Sequence, residues 1–146
     1  PPHHHSLAVM NTNDTIAHIL DHYRTVAVVG LSPKSHRDSH EVAAYMQAHG
    51  WRIVPINPNI SNVLGQKAYP SLHEAAQHER IELVNCFRNS ADIPPIVDEA
   101  IAIGAKAVWM QLDITHATAA KKARAAGLLV VENRCLKIDH AARPKS

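Results

Sequence analysis

Short apolar runs of strand size recur along the chain, separated by stretches whose apolar residues fall at helical spacing. Val26-Ala27-Val28-Val29 is the first run, long enough for a strand buried on both faces and too short for a helix. It predicts strand one over residues 25–30, ending at Gly30. Similar runs predict strands over 51–56, 82–87, 106–111 and 128–131. Before them, Ile16, Ile19, Leu20 and Tyr23 mark a first helix, with Asn13 or Asp14 as its cap. Glu41-Val42-Ala43-Ala44-Tyr45-Met46 predicts a helix from Asp38 that Gly50 ends, and Asp38-x-x-Glu41 reads as a capping box. If Asp38 takes the helix amides, an anion must use the loop before it instead. Ser71 caps a short helix to about residue 77, beyond an excursion over 63–70. Pro94 and Pro95 suit the first turn of a helix carrying Ile96, Val97, Ala100 and Ile103, stopped by Gly104. Asp113 or Thr115 opens an alanine-rich helix that Gly127 closes.

Strands alternating with helices demand parallel pairing through right-handed crossovers. The expected fold is therefore α/β: a Rossmann-like, open, doubly wound parallel sheet of five strands in order 3-2-1-4-5, forming one domain over residues 10–140. Pro55 cannot donate to a ladder, so one side of strand two should be locally unpaired. Residues 1–9, PPHHHSLAV, read as a tag remnant, and 141–146 as a frayed tail. Ligands of such sheets bind beyond the carboxyl ends of the strands, near the switch point between strands one and four. That places the candidate site at residues 30–37, Asn57, Pro58, Phe87, Arg88, Gln111, Arg134 and Cys135. The glycine turn into a helix, with Ser32, Lys34, Ser35, Arg37 and Ser39 around it, suits an anion. It also suits an ordinary strand-to-helix turn.

Composition narrows the ligand. A formal net charge of +2 and only two Trp, three Tyr and one Phe argue against nucleic acid. No run is long enough to span a membrane, and no secretory pattern is present. Cys86 and Cys135 are too few and too far apart for a disulfide framework, which points to a reducing cytoplasm. His18 and His22 lack a third ligand nearby, and His36 and His40 flank a helix cap where they face water, so no metal is expected. The dinucleotide fingerprint G-x-G-x-x-G is missing after Gly30, and Asn57 stands where an acidic residue would hold a ribose. There is no P-loop either. Lys34, Arg37 and Arg88 suit a ligand with more phosphate charge than NAD carries.

The segments VAVVGLSPKSHRDSHEVAAYMQAHGWRIVPINP, LGQKAYPSL, CFRNSADIPPIVDEAIAIGAKAVWMQL and NRCLKIDH, in that order, resemble the standalone CoA-binding proteins of bacteria. These are similar to the CoA-binding domain that begins succinyl-CoA synthetase alpha subunits. The resemblance implies coenzyme A or an acyl-CoA as ligand. By it, Gly30, Ser32, Lys34 and Arg37 face the phosphates, Leu31 belongs to the same cofactor-binding set, and Asn57, Pro58, Phe87, Arg88 and Ile93 surround the adenosine part. Trp109 and Gln111 close the far side. Two departures stand out: Leu112-Asp113 follows Gln111 where the family usually has glycine, and Asn133 replaces an acidic residue before Arg134-Cys135. The residues also allow plainer roles, with Trp109 as core, Arg88 paired to a surface carboxylate and Cys86 as a buried hydrophobe. Cys135, beside Arg134 and Lys137, is the candidate reactive thiol.

The synthetases hold their phosphorylated histidine and ATP-handling parts in further domains, and no Ser-His-Asp or paired-carboxylate constellation can be argued here. Binding without catalysis is the expectation. A nucleotide-dependent oxidoreductase or small transferase, and a ligand-sensing regulatory subunit with an unknown protein partner, are the alternatives.

Overall fold

Parallel β-strands buried on both faces form the centre of the computed structural model, which describes residues 10–144. The tag remnant expected at 1–9 lies outside the described residues, as do Lys145 and Ser146. The strands are β1 (Thr25–Val29), β2 (Arg52–Ile56), β3 (Leu83–Cys86), β4 (Ala107–Met110) and β5 (Leu129–Val131). Around them run α1 (Thr12–His22), α2 (Asp38–Ala48), α3 (Leu72–Ala75), α4 (Ile93–Ala102), α5 (Ala117–Ala125) and α6 (Leu136–Ala141).

All five strands are parallel, and the spatial order is β2-β1-β3-β4-β5. The doubly wound, all-parallel sheet is the expected one, but the strand at 83–86 does not lie beyond β2. It pairs with β1 instead, with Val26 opposite Leu83 and Val29 opposite Cys86. The place beyond β2 is held by one parallel bridge from Ile56 to Tyr69. Counting that bridge as a one-residue third strand gives the order 3-2-1-4-5-6, which contains the expected run 3-2-1-4-5, with β3, β4 and β5 as its fourth, fifth and sixth members. Pro55 explains why the outer member is so short. Tyr69 N–H donates to Pro55 O at 2.9 Å and Asn57 N–H to Tyr69 O at 2.9 Å, but Pro55 itself has no N–H to offer that side.

Alternation along the strands builds two cores. Ala27, Val54, Val84, Val108 and Val130 face α3, α4 and α5, whereas Val26, Val28, Ile53, Leu83 and Trp109 face α1, α2 and α6. The switch point falls between β1 and β3, because β2 follows β1 on one side and β3 is reached by crossing to the other.

Three expected caps differ. Asn11, not Asn13 or Asp14, caps α1, its Oδ1 accepting from Asp14 N–H at 2.8 Å. His116, not Asp113 or Thr115, caps α5, its Nδ1 accepting from Ala119 N–H at 3.1 Å. Asp38 is the first residue of α2 rather than its cap, and no side chain caps that helix. In each case the cap is set by where the preceding loop enters the helix, and several neighbouring residues have the right side chain. The short α6 is not evident from periodicity. It carries the chain through Ala141, and Arg143 beyond it pairs with Asp21 at 2.7 Å.

Candidate ligand-binding site

The loop from β1 into α2 is shaped by its own small side chains. Gly30 has φ 87, and a Cβ there would lie 3.0 Å from Arg88 Cδ and 3.2 Å from Phe87 O. Only glycine meets both demands. Leu31 is fully buried and anchors the loop, and Asn57 Nδ2 donates to Leu31 O at 2.9 Å. Ser39 Oγ accepts from Ser32 N–H at 3.0 Å, and Ser32 Oγ accepts from Lys34 N–H at 3.1 Å. The cleft above the loop, about 620 Å³, is lined by Gly30, Ser32, Lys34, His36, Arg37, Asp38, Ser39 and Phe87. Because Asp38 does not cap α2, the helix's first amides are left without a side-chain acceptor. Lys34 and Arg37 are exposed, and neither forms an ion pair among the described residues. Free amides, the positive helix end and two unpaired cations converge on one cleft, which can take a phosphate-bearing ligand.

A second cavity of about 320 Å³ adjoins the first and shares Asp38 and Phe87 with it. Its walls are Val42 and Glu41 from α2, Gln111, Leu112 and Ile114 after β4, and Cys135, Lys137 and Ile138 at the start of α6. The two helices are tied together: Lys137 Nζ donates to Glu41 Oε1 at 2.7 Å, and the Tyr45 hydroxyl lies 2.9 Å from His140 Nδ1. The hydrogen bond from Lys137, and then its charge, hold the Glu41 carboxyl below the usual carboxylate range. Burial, followed by the neighbouring His49 and Arg24, holds the His140 imidazole below its ordinary value. Gln111 sits at the base of this cavity. Its Oε1 accepts from Asn85 Nδ2 at 3.1 Å and from Leu136 N–H at 3.0 Å, which pins the start of α6 to the end of β4.

The remaining residues singled out in the sequence divide between these walls and the core. Trp109 is fully buried and lines neither cavity; its Nε1 donates to Arg134 O at 2.8 Å and holds the segment before α6. Ile93 is likewise fully buried. Pro58 is exposed beside Asn57, and neither lines the two cavities. The aliphatic part of Arg88 covers Gly30 while its guanidinium reaches Asp92 at 3.4 Å. The two departures from the family pattern meet: Asp113, at φ 68, donates its N–H to Asn133 Oδ1 at 2.7 Å, and Asn133 is at φ 57. The Asp113 carboxylate is not among the groups lining the cavity; Asp38 and Glu41 are.

The cations expected to activate Cys135 are engaged elsewhere, Arg134 with Asp139 at 2.6 Å and Lys137 with Glu41 at 2.7 Å. What Cys135 has is access, because it is half-buried and lines the cavity. Burial pushes the Cys86 thiol up to about 12. Iodoacetamide at neutral pH should therefore alkylate Cys135 and leave Cys86 unmodified in the folded protein. Peptide mass spectrometry reads this directly, and modification chiefly at Cys86 would contradict the burial.

Leu112, Ile114, Ile138 and Val42 were not singled out as site residues in the sequence. An apolar residue facing a cleft has no local mark that separates it from one facing the core. Among the described residues, no group of three or more His, Cys, Asp or Glu could hold a metal, and no helix is long and apolar enough to cross a membrane.

Comparison with known proteins places the chain in a family. The chain is 36% identical over 126 residues to the uncharacterized protein YneT of Bacillus subtilis, spanning 86% of this chain and 92% of that protein. A hypothetical protein from Pyrococcus horikoshii OT3 superposes with a TM-score of 0.84 at 40% identity, covering 90% of this chain and 91% of the other. A dinucleotide-forming acetyl-coenzyme A synthetase of Ca. Korarchaeum cryptofilum shares the fold at 18% identity and a TM-score of 0.67, with 77% of this chain matching 26% of that one. The family model described as CoA binding domain matches residues 24–141, and the chain belongs to that family.

Proposed function

We propose that this protein binds coenzyme A or an acyl-CoA reversibly, without catalysing a reaction on it. The observation that carries the reading is the pair of adjoining clefts, one cationic and one apolar, meeting at Asp38 and Phe87. Coenzyme A has the same polarity along its length, with phosphates at the nucleotide end and a pantetheine arm ending in a thiol. Gly30, Ser32, Lys34 and Arg37 contact the phosphates. Asn57, Pro58 and Arg88 border the adenosine part, with Leu31 and Ile93 supporting that region from the core. Phe87 marks the passage to the arm, and Gln111 and Cys135 stand at its far end. Binding takes place in the cytoplasm, where Cys86 and Cys135 persist as thiols.

Titration calorimetry with CoA, NAD and NADP tests the ligand class. CoA should bind most tightly; NAD binding equally well would sink the proposal. Lys34→Ala and Arg37→Ala should each weaken CoA binding by about 1–3 kcal/mol, the range for losing a charge-assisted hydrogen bond. Both cations are exposed, so the affinity should also fall as salt is added. Unchanged affinity in both variants, with unchanged melting, would make the loop purely structural.

A further inference from the structure

We propose that the form of the ligand this site is built for is an acyl thioester with an aliphatic acyl group. The acyl chain lies in the cavity between α2 and α6, and the thioester carbonyl accepts a hydrogen bond from Gln111 Nε2. The inference rests on the CoA reading above, because the cavity is the continuation of the phosphate cleft through Asp38 and Phe87.

Gln111 carries the argument. Its side chain is held from two directions, by Asn85 Nδ2 and by the backbone N–H of Leu136, and both contacts fall on Oε1. A backbone N–H can only donate, so the oxygen must face Leu136 and the amide nitrogen must face the other way. Gln111 is only 5% exposed and lines the cavity, yet none of the described residues accepts from its Nε2. Nε2 is not among the buried polar atoms left without a partner, so it stays open to the water of the cavity, and a ligand acceptor there would replace that water. The thiol of free CoA is a weak acceptor, whereas a thioester carbonyl is a good one.

The rim of the cavity points the same way. Leu112 and Ile138, 52% and 61% exposed, are the large apolar side chains left most open to water among the described residues, and both line this cavity. Ile114 and Val42 continue the apolar surface inward. An aliphatic chain leaving a carbonyl at Gln111 would cover these side chains and remove their surface from water. A dicarboxylic acyl group fits less well, because Asp38 lines the cavity without an ion-pair partner among the described residues.

The test compares free CoA, octanoyl-CoA and the thioether S-octyl-CoA by calorimetry on the full chain. Octanoyl-CoA should bind at least about tenfold more tightly than CoA, as expected when several methylenes are buried. S-octyl-CoA, which lacks the carbonyl, should bind roughly three- to tenfold more weakly than octanoyl-CoA, the effect of one hydrogen bond. Leu112→Asp and Ile138→Asp change exposed positions, so folding should survive; each should weaken octanoyl-CoA binding by a clearly larger factor than CoA binding, shrinking the octanoyl preference. Octanoyl-CoA binding no more tightly than CoA, with CoA itself bound, would overturn the acyl proposal and leave the CoA reading standing. S-octyl-CoA matching octanoyl-CoA would overturn the carbonyl contact at Gln111. If none of the three binds, the CoA reading itself fails.

Discussion

Trp109→Ala is expected to lower the stability of the fold by about 3–5 kcal/mol, the cost of emptying a large buried aromatic site. The side chain is fully buried among Val28, Leu83 and Leu136, so no solvent-facing relaxation is available to absorb the loss. Domains of this size are stable by only about 5–15 kcal/mol, so urea unfolding should show the effect plainly. Trp109→Phe separates packing from hydrogen bonding. It keeps most of the volume but leaves Arg134 O without the Nε1 donor at 2.8 Å, which should cost about 1 kcal/mol and loosen the start of α6. In both variants the folded fraction should still bind CoA. A variant that melts like the parent and has lost CoA would restore Trp109 as a ligand wall, the role its resemblance to the family suggested.

Gly30→Ala is the second large effect, expected at about 2–6 kcal/mol from strain and crowding together. Two causes add. An alanine at φ 87 is strained, at about 1–3 kcal/mol. Its Cβ would also press on Phe87 O at 3.2 Å and on Arg88 Cδ at 3.0 Å, and overpacking of this kind costs about 1–3 kcal/mol. Gly127→Ala is the control, since Gly127 has φ 90 but nothing within 4 Å of the place an alanine methyl would take, leaving only the backbone part. The difference between the two variants in urea unfolding isolates the close approach of β1 to β3. Gly30→Ala should also weaken CoA binding, because relief of the contact shifts the loop that holds Lys34 and Arg37. Equal destabilisation in both variants would mean that the tight contact at Gly30 has no energetic weight.

The strands and their parallel pairing were legible in the local pattern. Fully apolar runs such as Val26-Ala27-Val28-Val29 have one low-energy solution, a strand buried on both faces, and helices between such strands force crossovers. Pro55 announced a locally unpaired side on its strand, because a missing N–H is a property of the residue itself. The loop over 30–37 was legible for the same kind of reason: a glycine turn, cations and serines are local chemistry.

Tertiary structure decided the rest. Which side of the sheet β3 joins was decided by long-range pairing: the segment at Tyr69 takes the place beyond β2 through one bridge to Ile56, and β3 pairs with β1 at four positions. Whether Trp109 faced ligand or core, and whether the cations near Cys135 were free, depended on partners distant in sequence such as Arg134 O and Glu41. The apolar cavity is the clearest case. Val42, Leu112 and Ile138 come from three separate segments, and only the packing of α6 against α2 turns them into one surface. Sequence by itself determined the parallel sheet and the glycine turn, cations and serines of the loop over 30–37, because backbone geometry and residue chemistry act locally. The second cavity and the orientation of Gln111 were left to the fold, because they exist only once long-range contacts have closed.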